Sequence, residues 1–188
     1  TYDGDPIDPS MIDCNMKTDG AGTWEYKPVG ADDSEYTTVA PKNAGEYTVR
    51  LTTAETENCY AGSVTATYVI APKEVVIKGV TVYSKTYDGG TNVIIGNFGS
   101  LDGLIGDDKV TIVPGKGAFA DRNVGVGKIV TFTDFALSGE NAANYKLAYQ
   151  PQAVTADILA RQVTIVGLKI KDKLYDGKNT AQFDGTPV

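Results

Sequence analysis

The 188-residue chain predicts an all-β fold made of tandem modules. Three observations carry this expectation. A tripeptide returns at a nearly fixed interval. Apolar and polar residues alternate with period two in several short runs. No 12-residue segment shows a convincing helical period.

The tripeptide comes first. Tyr2-Asp3-Gly4, Tyr87-Asp88-Gly89 and Tyr175-Asp176-Gly177 are separated by 85 and 88 residues (87 − 2 and 175 − 87). A fixed period is the mark of a module array, and ~85–90 residues are enough for one independent core. The segment Lys73 to Gly89 aligns without gaps on Arg161 to Gly177, with Val75, Ile77, Gly79, Lys85 and the tripeptide recurring identically. Asn43-Ala44-Gly45 and Asn123-Val124-Gly125 open a second shared segment. The modules also close alike, at Tyr68 to Lys73 and at Ala156 to Arg161. The expected organisation is one module at residues 1–73, a second at 74–161 and the start of a third at 162–188. The first lacks the strand that precedes the tripeptide in the others, so the chain reads as a piece of a longer array.

Strand signals follow. Val64, Ala66, Tyr68 and Ile70 alternate with Thr65, Thr67 and Val69; Tyr47, Val49 and Leu51 alternate with Thr48 and Arg50. In the second module, Val110 to Val113, Ile129 to Phe132 and Val154 to Ile158 read as strands. Turn clusters lie between them at 103–108, 114–117 and 138–141. Short helical turns fit near Ser10 to Cys14 and Leu101 to Ile105. In both aligned openings the apolar parity switches at a glycine, Gly79 or Gly167. A one-residue phase change re-aims later side chains, so a bulge or kink is expected there. A first strand kinked in this way can serve two sheets in turn, whereas a flat two-sided strand is the plainer alternative.

Each tripeptide is expected to form a turn leaving the first strand. Asp tolerates left-handed conformations and caps its own turn, and Gly takes φ > 0 without steric cost. The Tyr ring packs while its hydroxyl stays bonded. Thus Tyr2, Asp3, Gly4, Tyr87, Asp88, Gly89, Tyr175, Asp176 and Gly177 are assigned a structural role. The joints, Ala71-Pro72-Lys73 and Leu159-Ala160-Arg161, contain no flexible linker. They predict a semi-rigid, end-to-end arrangement.

At these motifs the chain resembles the repeated modules of bacterial cell-surface proteins known as the YDG and MBG families. Residues Lys85 to Gly89, Asn123-Val124-Gly125 and Leu137 to Tyr145 resemble the YDG form; Thr1 to Gly4, Asn43 to Val49 and Ile70 to Lys73 resemble the MBG form. The resemblance implies repeated extracellular β modules of large adhesin-like proteins, and it carries over no catalytic residue. The expected architecture is tandem Ig-like β-sandwich modules, with β-grasp-like modules carrying a short helix as the alternative.

Composition restricts the chemistry. Net charge is −7 with opposite charges interspersed, which argues against nucleic-acid partners. No apolar run reaches the ~18 residues of a spanning helix, so no membrane insertion is expected in this segment. There is no histidine, which removes His-based triads and His metal sites. Carboxylates in turns, Asp3-Gly4-Asp5 and Asp102 to Asp108, offer oxygen ligands for calcium but fit no EF-hand spacing and read as solvated acids. No cofactor, metal or enzyme activity is expected. A Lys–Asn bond between strands needs a buried Lys, Asn and acid together, and only the recurrence of Lys85 as Lys173 suggests it.

Two local features remain. Cys14 and Cys59 are a candidate disulfide closing a loop of about 45 residues, worth a few kcal/mol if the protein is exported; two buried thiols are the alternative. Trp24, Tyr26 and Tyr36 are a candidate ligand-binding platform, against the alternative that Trp24 fills the core. The functional expectation is a monomeric, non-catalytic structural and adhesive spacer of a secreted or surface-attached bacterial protein, its partners being the neighbouring repeats. The alternative is a module that binds a host or dietary glycan or glycoprotein through its first repeat.

Overall fold

The computed structural model describes residues 1–8 and 20–184. These residues form an almost all-β protein of several small sheets, with no α-helix among them. No helix there is long and apolar enough to cross a membrane. The helical turn expected near Ser10 to Cys14 lies outside the described residues. The one expected at Leu101 to Ile105 is absent. Leu101 and Asp102 end a strand instead, and single 3-10 turns occur at Asp33–Glu35 and Ala142–Asn144.

The first repeat contains an antiparallel meander, β1 (Gly22–Pro28), β2 (Gly45–Thr53) and β3 (Gly62–Ile70), paired in that order. The alternation read in the sequence sets its faces. Tyr26 pairs with Val49 and Trp24 with Leu51, which puts these side chains on one side. Tyr26, Val49 and Leu51 are buried, while Trp24 is half-buried. Tyr47 and Tyr68 pair across β2 and β3 with their rings stacked 5.7 Å apart.

The second repeat begins with β4 (Lys73–Val82), β5 (Lys85–Thr86) and β6 (Ile95–Asp102). It continues through β7 (Thr111–Val113), β8 (Lys116–Phe119), β9 (Gly125–Thr133), β10 (Ala136–Ser138), β11 (Tyr145–Leu147) and β12 (Val154–Leu159). Three sheets result, ordered β11-β4-β6, β5-β12-β9-β8 and β10-β7. Ile77, Val80, Phe119, Val130, Phe132, Phe135, Ala156 and Ile158 close a core between them. Each large side chain buried there contributes roughly 1.5–3 kcal/mol. The runs expected at 110–113, 129–132 and 154–158 are β7, β9 and β12.

The glycine phase change behaves differently from the expectation in one respect. The β4–β6 register passes from Lys78↔Ser100 to Val80↔Phe98, which leaves Gly79 facing Gly99. Both take positive φ, 78° and 83°. A Cβ on Gly99 would lie 2.4 Å from the Lys78 carbonyl oxygen. Two left-handed residues face to face twist the hairpin, so Ile77 and Val80, of opposite parity, enter the same core. The change of sheet comes later, at Tyr83-Ser84, where the chain leaves β6 and pairs through β5 with β12 in parallel. The strand β4 stays in one sheet and the separate strand β5 joins the other; Gly79 corrects the facing of β4 and does not transfer it.

The 88-residue register persists beyond β12. Ile170 bridges Phe183 as Val82 pairs with Ile95, and the Lys171 N–H donates to Gln182 O at 2.8 Å as Tyr83 N–H does to Ile94 O at 3.0 Å. Gly167 has φ 75° where Gly79 has 78°. Residues 161–184 therefore repeat the first rung of the β4–β6 hairpin while their side chains remain exposed.

Candidate functional site: a recurring turn and the joint between repeats

The local unit is the turn. In all three copies the Asp side chain accepts the backbone N–H two residues on. The bonds are Asp5 N–H to Asp3 Oδ1 (3.1 Å), Gly90 N–H to Asp88 Oδ1 (2.9 Å) and Lys178 N–H to Asp176 Oδ1 (3.0 Å). The intervening Gly4, Gly89 and Gly177 have φ of 89°, 81° and 71°, a conformation glycine adopts at least cost. The recurring lysine completes the turn. Lys85 Nζ donates to Asp88 Oδ1 (2.7 Å) and Gly90 O (2.9 Å), and Lys173 Nζ to Asp176 Oδ1 (2.8 Å) and Lys178 O (2.6 Å). The lysine hydrogen bond, followed by the backbone N–H, holds the Asp88 and Asp176 carboxyls below the usual aspartate range. This explains in physical terms why Lys recurs two residues before the tripeptide Tyr.

The turn also closes each sheet. Tyr2 N–H donates to Ala71 O and Tyr87 N–H to Leu159 O, both at 2.8 Å. Beside these acceptors, Gly45 pairs with Ile70 and Gly125 with Ile158. In each repeat the tripeptide Tyr and the Asn-Ala/Val-Gly segment thus flank the end of the last strand.

At the first of these ends the two repeats pack together. Tyr2, Ile70, Val75 and Tyr145 form a second buried cluster, lined by Ala44, Tyr47 and Tyr68 from one side and Leu101, Leu104, Ile105, Val110, Leu137 and Leu147 from the other. This cluster is shared by the two repeats, whereas the buried residues of the other core all come from the second. The Tyr2 and Tyr145 rings meet edge to face, 5.5 Å apart at 79°. Both hydroxyls donate to Asp108 Oδ2, Tyr2 at 2.9 Å and Tyr145 at a shorter distance, and Tyr145 Oη accepts from Ile105 N–H at 3.0 Å. Burial, and then the Asp108 carboxylate, push the Tyr145 phenol up to about 12; Tyr2 moves in the same direction for the same causes. Asn144 is the buried polar side chain among the described residues. Its Oδ1 accepts Ala44 N–H (2.8 Å), and its Nδ2 donates to Asn43 Oδ1 (3.2 Å). Sequence reasoning missed Asp108, which reads as a solvated turn acid. Asn144 lies within the Leu137 to Tyr145 segment, and nothing in that pattern marks it as buried.

The tripeptide tyrosines sit in three environments. Tyr2 is 4% exposed, Tyr87 37% and Tyr175 97%. Of the candidate platform, Trp24 and Tyr26 occupy one face of β1, with Leu51 and Val49. Tyr36 lies apart from them. Its ring is stacked against the Arg50 guanidinium, 3.7 Å from the centroid, with Lys27 Nζ at 4.9 Å, and these cations are paired with Glu25 and Asp33. Burial raises the Tyr26 phenol, whose hydroxyl finds no hydrogen-bond partner among the described residues.

Cys59 is half-buried at a turn where its N–H donates to Thr56 Oγ1; Cys14 lies outside the described residues. Among the described residues no group of three or more His, Cys, Asp or Glu side chains converges as a metal site. Of the proposed calcium ligands, Asp102 pairs with Lys78 and Asp108 serves the two tyrosines. A groove of about 450 Å³ along β10 and β11 is lined by Phe135, Leu137, Tyr145, Leu147, Lys146 and Gln150 and carries no carboxylate.

Comparison with known families matches residues 71–153 to the YDG domain. No curated protein and no solved structure matches the chain. The match opens at Ala71, the acceptor of Tyr2 N–H, and ends just before β12. It contains Asp108, Asn144 and Tyr145, the side of the joint that grips the first repeat. Residues 71–153 of this chain are thus similar to the YDG domain.

Proposed function

We propose that the chain is a non-catalytic structural and adhesive repeat region of an extracellular bacterial surface protein, acting as a semi-rigid spacer of tandem Ig-like β-sandwich modules. The packed joint carries this reading. Tyr2 and Tyr145 share the Asp108 carboxylate across an apolar cluster, where a hinge would have solvent. A joint with buried apolar surface and satisfied polar groups resists bending, because opening it exposes both. The passage of the chain from β4, beside β6, to β5, beside β12, supports the sandwich architecture.

Small-angle X-ray scattering and pulling from the two chain ends test the proposal. An elongated particle of constant length from low to molar salt, whose repeats unfold as discrete steps under load, is expected. A particle whose length varies with salt, or one that extends smoothly at low force, overturns it.

A further inference from the structure

We propose that the far end of the second repeat, formed by Tyr87, Asn123, Val124 and Leu159, is the seat of a following copy of the same module in the same chain. That copy's counterparts of Asp108, Asn144 and Tyr145 grip it as the present ones grip Tyr2, Asn43 and Ala44. The inference deepens the spacer reading and rests on it.

Three observations support it. First, the two ends are built alike. The same 2.8 Å bond ties Tyr2 to Ala71 and Tyr87 to Leu159, and the same Gly–Ile pairing sets Ala44 and Val124 beside those acceptors. Second, the end of the first repeat is covered and the end of the second is open. Tyr87 and Val124 are exposed, where Tyr2 is buried and Ala44 half-buried. Third, the chain leaving the second end already carries the strand that a following module needs. Val163 and Ile165 are 87% and 85% exposed; their counterparts Val75 and Ile77 are 1% and 3%. The occupant is thus a YDG module, delivered in cis by residues 161–170 along the path that Lys73 to Val82 take at the first joint.

The chemistry repeats with one change. Asn123 offers the side-chain oxygen that Asn43 gives to Asn144, and the Tyr87 hydroxyl is the counterpart of the donor to Asp108. Val124 replaces Ala44, adding two methyl groups to the apolar part of the contact.

The experiment extends the chain by repeating residues 74–161 once after Arg161, which stands where Lys73 stands, with Tyr87→Phe in the added copy so that a single Tyr87 is labelled, and compares it with the 188-residue chain by hydroxyl-radical footprinting. Labelling of Tyr87 should fall about ninefold, the ratio of the 37% and 4% exposures of Tyr87 and Tyr2. Val124→Asp in the extended chain should restore it while Tyr2 stays protected at the first joint. Tyr87 labelled equally in both chains, with Tyr2 protected, overturns the proposal. If scattering still shows an extended chain longer by one module, the spacer reading survives that failure; a chain no longer than the original removes both. A second variant needs no added module. Ala44→Val in the 188-residue chain places the Val124 side chain against Asn144. It should leave thermal unfolding and Tyr2 protection unchanged, and exposure of Tyr2 overturns the proposal.

Discussion

Tyr2 and Asp108 stand 106 residues apart in the chain and meet in a 2.9 Å hydrogen bond across the boundary between two repeats. The same carboxylate oxygen accepts Tyr145, so one acid holds a tyrosine from each side. Removing it leaves two phenols without their acceptor in a largely apolar cluster. Asp108→Ala should lower unfolding stability by about 2–3 kcal/mol and raise the labelling of Tyr2. Urea titration and footprinting read these effects. Unchanged protection of Tyr2 would remove Asp108 from the joint.

Two substitutions at Tyr145 separate ring from hydroxyl. Tyr145→Phe keeps the edge contact with Tyr2 and loses the bonds to Asp108 and Ile105, at a cost of about 1 kcal/mol. Tyr145→Ala empties the centre of the shared cluster and should cost about 3–5 kcal/mol. Chemical denaturation of the two variants gives the ratio directly, and equal losses would contradict it.

The same tyrosine sets an alkaline limit. Its folded-state pKa is raised to about 12 from the ordinary value of 10.0. The neutral form is therefore favoured by folding, and its contribution is complete below pH 10 and lost as pH rises toward 12. Stability should fall across that window, and Tyr145→Phe should flatten the fall without abolishing it, since Tyr2, Tyr26 and Tyr47 are raised too. Tyrosinate absorbance followed alongside circular dichroism checks the order of events.

The facing glycines predict unequal costs. Gly79→Ala meets nothing within 4 Å and pays only for a left-handed φ of 78°, about 1 kcal/mol. Gly99→Ala adds a contact of 2.4 Å with the Lys78 carbonyl oxygen and one of 2.9 Å with Ile77 Cγ2, so the hairpin must open and the loss should be several-fold larger. Equal midpoints in urea would show that the kink is not held by these two residues.

The turn gives an acid-side prediction. Lys85 lowers the Asp88 pKa, so the turn's contribution is present above the ordinary aspartate value of 3.8 and is lost as pH falls through the depressed one. Lys85→Met should return Asp88 toward that ordinary value. A carboxyl-carbon NMR titration measures the shift, and an unmoved Asp88 would separate the lysine from the turn.

Much of the fold was legible in local pattern. Period-two alternation located β2 and β3, because side-chain direction in a strand depends only on parity, and strand-like runs located β7, β9 and β12. The recurring Tyr-Asp-Gly implied a turn, and all three copies form it, because an Asp–backbone bond and a positive φ are settled within five residues. The parity switch at Gly79 was visible, but its sense was not. Whether a kink sends a strand to another sheet or restores its facing depends on the partner strand, here on Gly99 twenty residues away.

The site lay beyond such reading. Nothing in Gly106-Asp107-Asp108 distinguishes a solvated acid from one that accepts two tyrosines. The distinction arises only when Tyr2 and Tyr145 are brought to it from 106 and 37 residues away. Tyr2, Tyr87 and Tyr175 carry the same local code, yet they are buried, partly open and exposed. Sequence alone established the repeat, its strands and its turns, which are short-range matters of backbone preference and side-chain parity. The packing of one repeat on the next decided which copy of each motif is covered, because burial belongs to the neighbour that arrives and not to the residues that receive it.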